Sequence, residues 1–210
     1  MKNILIALLL FAVFILGWLS ETRLRKKMLT KLLSFERKGQ KSKYFQLLEA
    51  PVAKICLSAR SRELLKLDYF LTYGDIANVK KIVSKFIKKP SDLTKNNNLL
   101  IRLMRSYVLF LEKNDQKSIL KLENYLKVNC KTAEIEKEID QLHRVYLEPD
   151  QNLLAELNNQ LKVANEPQQK LIIYDRLIKA SESLGLNKQA KEYLLEMKKV
   201  ANKTIKLEEF

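Results

Sequence analysis

The sequence predicts an all-α protein: a single transmembrane helix at the amino terminus, then stacked antiparallel helical hairpins forming a short solenoid. Three observations lead there. Sixteen uncharged residues, Ile4 to Leu19, run directly into a cluster of cations. Beyond residue 61, apolar side chains recur at helical spacing, Gly74 and Gly185 are the only glycines in 150 residues, and no alternating pattern is long enough to build a sheet. Turn signals at Gly74-Asp75, Asn114-Asp115, Pro149-Asp150 and Gly185-Leu186-Asn187 fall at intervals of 40, 35 and 36 residues, a period that stacked helical hairpins produce.

The apolar stretch ILIALLLFAVFILGWL, with Ile4, Leu5, Leu10, Phe14, Trp18 and Leu19, covers about 24 Å as a helix, near the short end of what a hydrocarbon core accepts. Lys2 and Arg23 are placed to snorkel to the two interfaces, and Trp18 suits the headgroup boundary. A cleaved signal peptide is the competing reading. It wants a pair of small residues at the exit, where this chain has Gly17-Trp18-Leu19-Ser20-Glu21. Lys2 stands alone before the span, against Arg23, Arg25, Lys26, Lys27, Lys31, Arg37 and Lys38 after it, so the rest of the chain is expected on the cytosolic side. Cys56 and Cys130 have no metal-like or redox-like spacing, and fit either a reducing compartment or one disulfide outside.

The net charge is +15, and 30 of the 39 basic residues are lysine, an excess much of which a coding bias could generate. The distribution carries more information. Residues 21–62 sum to +9, residues 63–131 to +7 and residues 132–210 to −2, so positive charge gathers in the half nearest the expected bilayer. Anionic lipids attract each such cation by about 1 kcal/mol near the surface. Three segments follow: a transmembrane anchor over 1–20, a basic juxtamembrane helical segment over 21–60, and a helical repeat domain over 61–210.

In the second segment Leu24, Met28, Leu32 and Phe35 recur at helical spacing while cations fill other faces. This predicts an amphipathic helix that lies along lipid headgroups, with Arg23, Arg25, Lys26, Lys27 and Lys31 as the contacting cations, or a continuation of the spanning helix that packs on the domain; a flexible basic tether is the plainer alternative. Gly39 reads as a break, and a second helix through Tyr44, Phe45, Leu47 and Leu48 is interrupted at Pro51. In the third segment Leu99, Leu100, Leu103, Tyr107, Phe110 and Leu111 mark one buried face, and Ala190, Tyr193, Leu194, Met197 and Ala201 another. Gly74 and Gly185 can end helices in the left-handed conformation, with Asp75, Asn187 and Thr132 as caps and Pro167 in a first turn. Four hairpins are expected at 61–90, 97–128, 132–164 and 167–201, burying a common core by stacking.

The stretch YDRLIKASESLGLNKQAKEYLLEMKKV resembles a tetratricopeptide repeat. Tyr174, Leu177 and Ile178 stand at the large packing positions of the first helix, Gly185 at the turn, Ala190 at the small position of the second helix, and Leu194 and Met197 beyond it. GDIANVKKIVSKF is similar through Gly74-Asp75, Phe86 and the nearby Pro90, with Val79 at the small position; the middle units keep the spacing but carry Asn114, Pro149, Ile119 and Leu154 at the corresponding sites. The resemblance covers about 140 residues, and a generic helical bundle is the other architecture open to them. It implies a groove that holds a protein partner, although no carboxylate-clamp set can be placed.

Enzymatic chemistry is not expected, and neither is a cofactor. His143 is the sole histidine, with Asp140 three residues before it as a surface pair, and Glu134, Glu136, Glu138 and Asp140 are spread around a helix start. No glycine-rich phosphate loop is present. The expected function is a membrane-anchored scaffold or adaptor holding a protein partner, with anionic lipids as a second contact. The alternatives are nucleic-acid binding through Lys81, Lys85 and Lys88, flanked by Lys80 and Lys89, and an exported assembly factor of the same fold.

Overall fold

The computed structural model describes residues 21–130 and 132–208, with side chains through residue 203. Among the described residues the protein is all-α, with eleven helices and no strand. None of these helices is long and apolar enough to cross a membrane. The segment expected to span, from Ile4 to Leu19, lies outside the described residues. The chain divides into two compact units, parted after Lys85.

The first unit holds α1 (21–37), α2 (Lys41–Glu49), α3 (Pro51–Cys56), α4 (Ala59–Thr72) and α5 (Ile76–Phe86), whose last residue belongs to the second unit. Met28 and Leu32 of α1 are buried and Phe35 is half-buried, so packing covers the later part of the apolar face, while Leu24 at its start stays exposed. Tyr44, Phe45, Tyr69, Phe70 and Tyr73 form an aromatic cluster, with ring centroids 4.6 Å apart for Tyr44–Tyr69 and 5.3 Å for Phe45–Phe70. The Tyr44 hydroxyl donates to the Leu65 carbonyl at 2.9 Å. The Tyr73 hydroxyl donates to the Glu36 carbonyl, and Thr72 Oγ1 to Glu36 Oε1 at 3.1 Å, tying the end of α1 to the end of α4. Pro51 opens α3 in its first turn, where its missing N–H costs nothing.

The second unit holds α6 (Asn97–Glu112), α7 (Gln116–Asn129), α8 (Ala133–Leu147), α9 (Gln151–Val163), α10 (Pro167–Ser183) and α11 (Asn187–Glu208). Helix α6 packs on α7 and α8, α7 on α8, α8 on α10, α9 on α10, and α10 on α11. The apolar face read on α6 is buried through Leu99, Leu103, Tyr107, Phe110 and Leu111, whereas of the face read on α11 only Ala190 is buried, with Tyr193, Met197 and Ala201 half-buried and Leu194 exposed. The link before α6 is pinned to α7, since Leu93 is buried and donates its N–H to the Asn129 carbonyl at 3.1 Å.

One turn recurs. Gly39, Gly74, Asn114 and Gly185 have φ of 63°, 63°, 50° and 74°, and the N–H of the next residue reaches back five residues, from Gln40 to Phe35, Asp75 to Phe70, Asp115 to Phe110 and Leu186 to Ser181, at 2.8 to 3.0 Å. This is the Schellman closure, which satisfies carbonyls that a helix end otherwise leaves orphaned. Five residues past each turn residue stand Tyr44, Val79, Ile119 and Ala190, all buried. Gly39 lies 35 residues before Gly74, so the turn geometry reaches into residues 21–60, where the sequence reading placed a break between two helices outside the repeat domain.

Pro149 makes the exception, because the proline ring holds φ at about −65° and cannot take the left-handed conformation the turn needs. Side chains do the work there. Asp150 caps α9 by accepting the Leu153 N–H at 2.6 Å, and Arg144 of α8 bridges Asp150 at 3.3 Å and Glu156 at 2.9 Å. Five residues past Pro149 stands Leu154, which is also buried. Asp75 caps α5 through the Asn78 N–H at 3.2 Å, as expected. Asn187 is the first residue of α11 and not its cap, and Thr132 occupies the cap position of α8 without a side-chain bond, leaving Glu134 and Glu136 to face the positive helix end.

Three helices of the second unit meet at Glu123. Its carboxylate accepts from the Tyr107 hydroxyl at 2.9 Å and pairs with Lys127 at 2.9 Å, while Lys127 also reaches Asp140 at 3.0 Å. His143 Nδ1 stands 3.5 Å from Glu123. The expected Asp140–His143 surface pair is therefore replaced: Asp140 turns to Lys127, and His143 faces Glu123. Burial raises the Glu123 carboxyl, but the hydrogen bonds from Lys127 and Tyr107 and the adjacent cation outweigh it and hold the group below the ordinary carboxylate range.

Two outcomes are predicted. Gly185→Ala should lose about 1 kcal/mol in urea unfolding from left-handed strain alone, since nothing crowds the added methyl, whereas Asn114→Gly should lose nothing or gain slightly. A depressed carboxyl contributes stability that is present above its unfolded value, about 4.3, and lost as pH falls through the folded value. Wild-type stability should thus decline with acid more steeply than that of Glu123→Gln, measured as unfolding midpoints between pH 7 and pH 3.

Candidate functional site

Two surfaces carry the chemistry. On α1, residues Arg23, Lys26, Lys27, Thr30, Lys31, Ser34 and Arg37 share one helical face, opposite the buried Met28 and Leu32. No acidic residue interrupts it, because Glu21 and Glu36 lie toward the other side. All five of its cations are exposed and none forms an ion pair among the described residues; the Lys31 ammonium sits 5.8 Å from the Phe35 ring centroid. Exposed Leu33 and Leu24, at 51% and 45%, flank the cationic strip. Arg25, grouped with these cations from sequence, is also exposed but projects from the side shared with Leu32. Periodicity around the helix, and not the mere density of basic residues, separates it from the others.

The lysine stripe expected on α5 is broken up. Val79, Ile82 and Val83 are buried and Lys81 and Lys85 exposed, as the spacing predicts. Lys85, however, is paired with Glu63 at 2.9 Å, and Glu63 also takes Lys66 at 3.0 Å, so its charge is partly spent. Burial works against the Glu63 charge, but its two lysines prevail and hold the carboxyl below the ordinary range. The helix ends at Phe86, so Lys88 lies past it and in the second unit. The three lysines do not form one helical face.

The turn and packing residues singled out in the sequence have structural work: Gly74 and Gly185 close helices, Asp75 caps α5 and Ala190 is buried behind the last turn. Cys56 and Cys130 are both buried and free. Among the described residues no group of three or more His, Cys, Asp or Glu side chains is placed to hold a metal ion.

The second surface was not visible in the sequence. A cavity of about 510 Å³ opens in the second unit between the carboxyl-terminal ends of α6 and α8 and the facing part of α10. Glu112 comes from α6, His143 and Tyr146 from the end of α8, Glu148 from the residue that follows it, and Lys179 and Ser183 from α10. His143 and Lys179 each stand six residues before their turns, and Glu112 and Ser183 two before theirs, so successive first helices bring them together; the 35-residue period was the only signal that would have located them. The Lys179 ammonium lies 5.6 Å from the Tyr146 ring centroid. Burial, with Asp175 and Glu112 adding to it, pushes the Tyr146 hydroxyl up to about 12, against the opposing Arg176. Arg176 is itself held by Glu138 and Gln141 of α8.

No family model, curated protein or solved structure matches this chain.

Proposed function

We propose that this protein is a membrane-anchored adaptor that holds a protein partner at the cytosolic face of a bilayer. In this reading the apolar segment Ile4–Leu19 spans the membrane, the cationic face of α1 rests on anionic headgroups, and the hairpins of the second unit form a short tetratricopeptide-like solenoid that takes the partner. The observation that carries it is the acid-free face of Arg23, Lys26, Lys27, Lys31 and Arg37 on the helix that directly follows the apolar run. Such cations are worth about 1 kcal/mol each within a Debye length of an anionic surface. The packing of α6 on α8 and of α8 on α10 supports the solenoid reading, because consecutive first helices meet in that architecture.

The mechanism is one of concentration. A partner confined to the membrane surface meets other membrane components at raised effective concentration without any new contact chemistry. A chain lacking residues 1–20 should sediment with vesicles containing phosphatidylserine and not with pure phosphatidylcholine, and binding should fall steeply between about 50 and 300 mM salt, as the Debye length shortens from about 14 to about 6 Å. Replacing the five cations of the α1 face by Gln should abolish binding, while Lys81→Gln with Lys85→Gln should leave it nearly unchanged. Absence of vesicle binding at low salt, or equal loss in both variants, contradicts the headgroup role of α1.

A further inference from the structure

The cavity between α6, α8 and α10 has the volume of a ligand site, inside the range of about 300–1,000 Å³ that such sites occupy. Its charges are unevenly spent. Glu112 and Glu148 stand exposed at its edge, and neither forms an ion pair among the described residues. The nearby cations are already engaged: Arg176 is bound by Glu138 and Gln141, and Lys179 lies over the Tyr146 ring. Asp175 adds a further carboxylate close enough to Tyr146 to reinforce, with Glu112, the effect of burial on its hydroxyl. An anionic ligand would meet these carboxylates with only Lys179 and the imidazole of His143 to offset them. A cation would find two uncommitted counter-charges and an aromatic wall that already accommodates an ammonium group.

We propose that this cavity receives a lysine or arginine side chain from an extended segment of the partner protein, with Glu112 and Glu148 as its counter-charges and Tyr146 as its wall. The proposal rests on the reading of the second unit as partner-binding and names the chemistry of what it binds. Lys179 then acts as an internal competitor for the same corner. Its removal should make the site more receptive.

The test uses the full chain in micelles of a neutral detergent and a fluorescein-labelled, end-blocked, lysine-rich decapeptide, followed by fluorescence anisotropy at low salt. Glu112→Gln with Glu148→Gln should weaken binding at least tenfold, while Glu134→Gln with Glu166→Gln, which removes the same charge from exposed positions away from the cavity, should change it less than twofold. Lys179→Gln should tighten binding, and a glutamate-rich decapeptide should not bind. Circular dichroism of each variant checks that the helices persist, and Lys179→Gln tests the site by a gain that unfolding cannot mimic. Equal weakening in the two double variants, preference for the glutamate-rich peptide, or no binding of the lysine-rich one overturns the proposal. Because no anionic lipid is present, loss of the headgroup role of α1 would leave this result standing, and failure here would leave vesicle binding untouched.

Discussion

The constraint on which the rest depends is the hydrogen bond that runs five residues backward from the residue after Gly39, Gly74, Asn114 and Gly185. Each such bond ends one helix and starts the next within two or three residues, because the left-handed residue turns the chain without leaving the last carbonyls unpaired. With the reversal set, the residue five positions on is carried inward, and Tyr44, Val79, Ile119 and Ala190 are buried whatever their size. A position occupied by tyrosine in one hairpin and alanine in another is specified by geometry, with neighbouring side chains adjusting to fill the volume.

That geometry also distributes the polar residues. In the second unit, consecutive first helices lie against each other, so residues just before the turns converge and build the cavity lined by Glu112, Tyr146 and Lys179. Deeper in, the same arrangement brings Tyr107, Glu123 and Lys127 together, and burial of a carboxylate becomes tolerable because each partner is supplied. Ser181 is the counterexample: it is fully buried and its hydroxyl has no hydrogen-bond partner among the described residues, at the site four residues before the turn where Phe35, Phe70, Phe110 and Val145 stand in the other hairpins. The repeat places a side chain there, and this one does not suit it.

Much of this was legible in the sequence because the signals are local. Glycine scarcity exposed Gly74 and Gly185 as turns, helical spacing exposed the buried face from Leu99 to Leu111, and Pro149-Asp150 announced a break that side chains then completed. What escaped depends on partners far along the chain. Gly39 was legible as a break, but its kinship with the later turns rests on the burial of Tyr44 against residues such as Leu65 and Tyr69, twenty or more positions on. Asp140 is three residues from His143, yet Lys127, on another helix, claims it. Lys85 looked available until Glu63, 22 residues earlier, was brought beside it. The cavity required three helices to be assembled before its lining could be named.

Hydrogen exchange at single-residue resolution tests the central claim most directly, because the account assigns a structural bond to four particular amides outside the regular helical ladder. The N–H groups of Gln40, Asp75, Asp115 and Leu186 should exchange as slowly as those in the last turn of the helix each one closes. Exchange at the rate of an unstructured loop at these four positions would contradict the recurring turn, and with it the arrangement of hairpins that builds both surfaces.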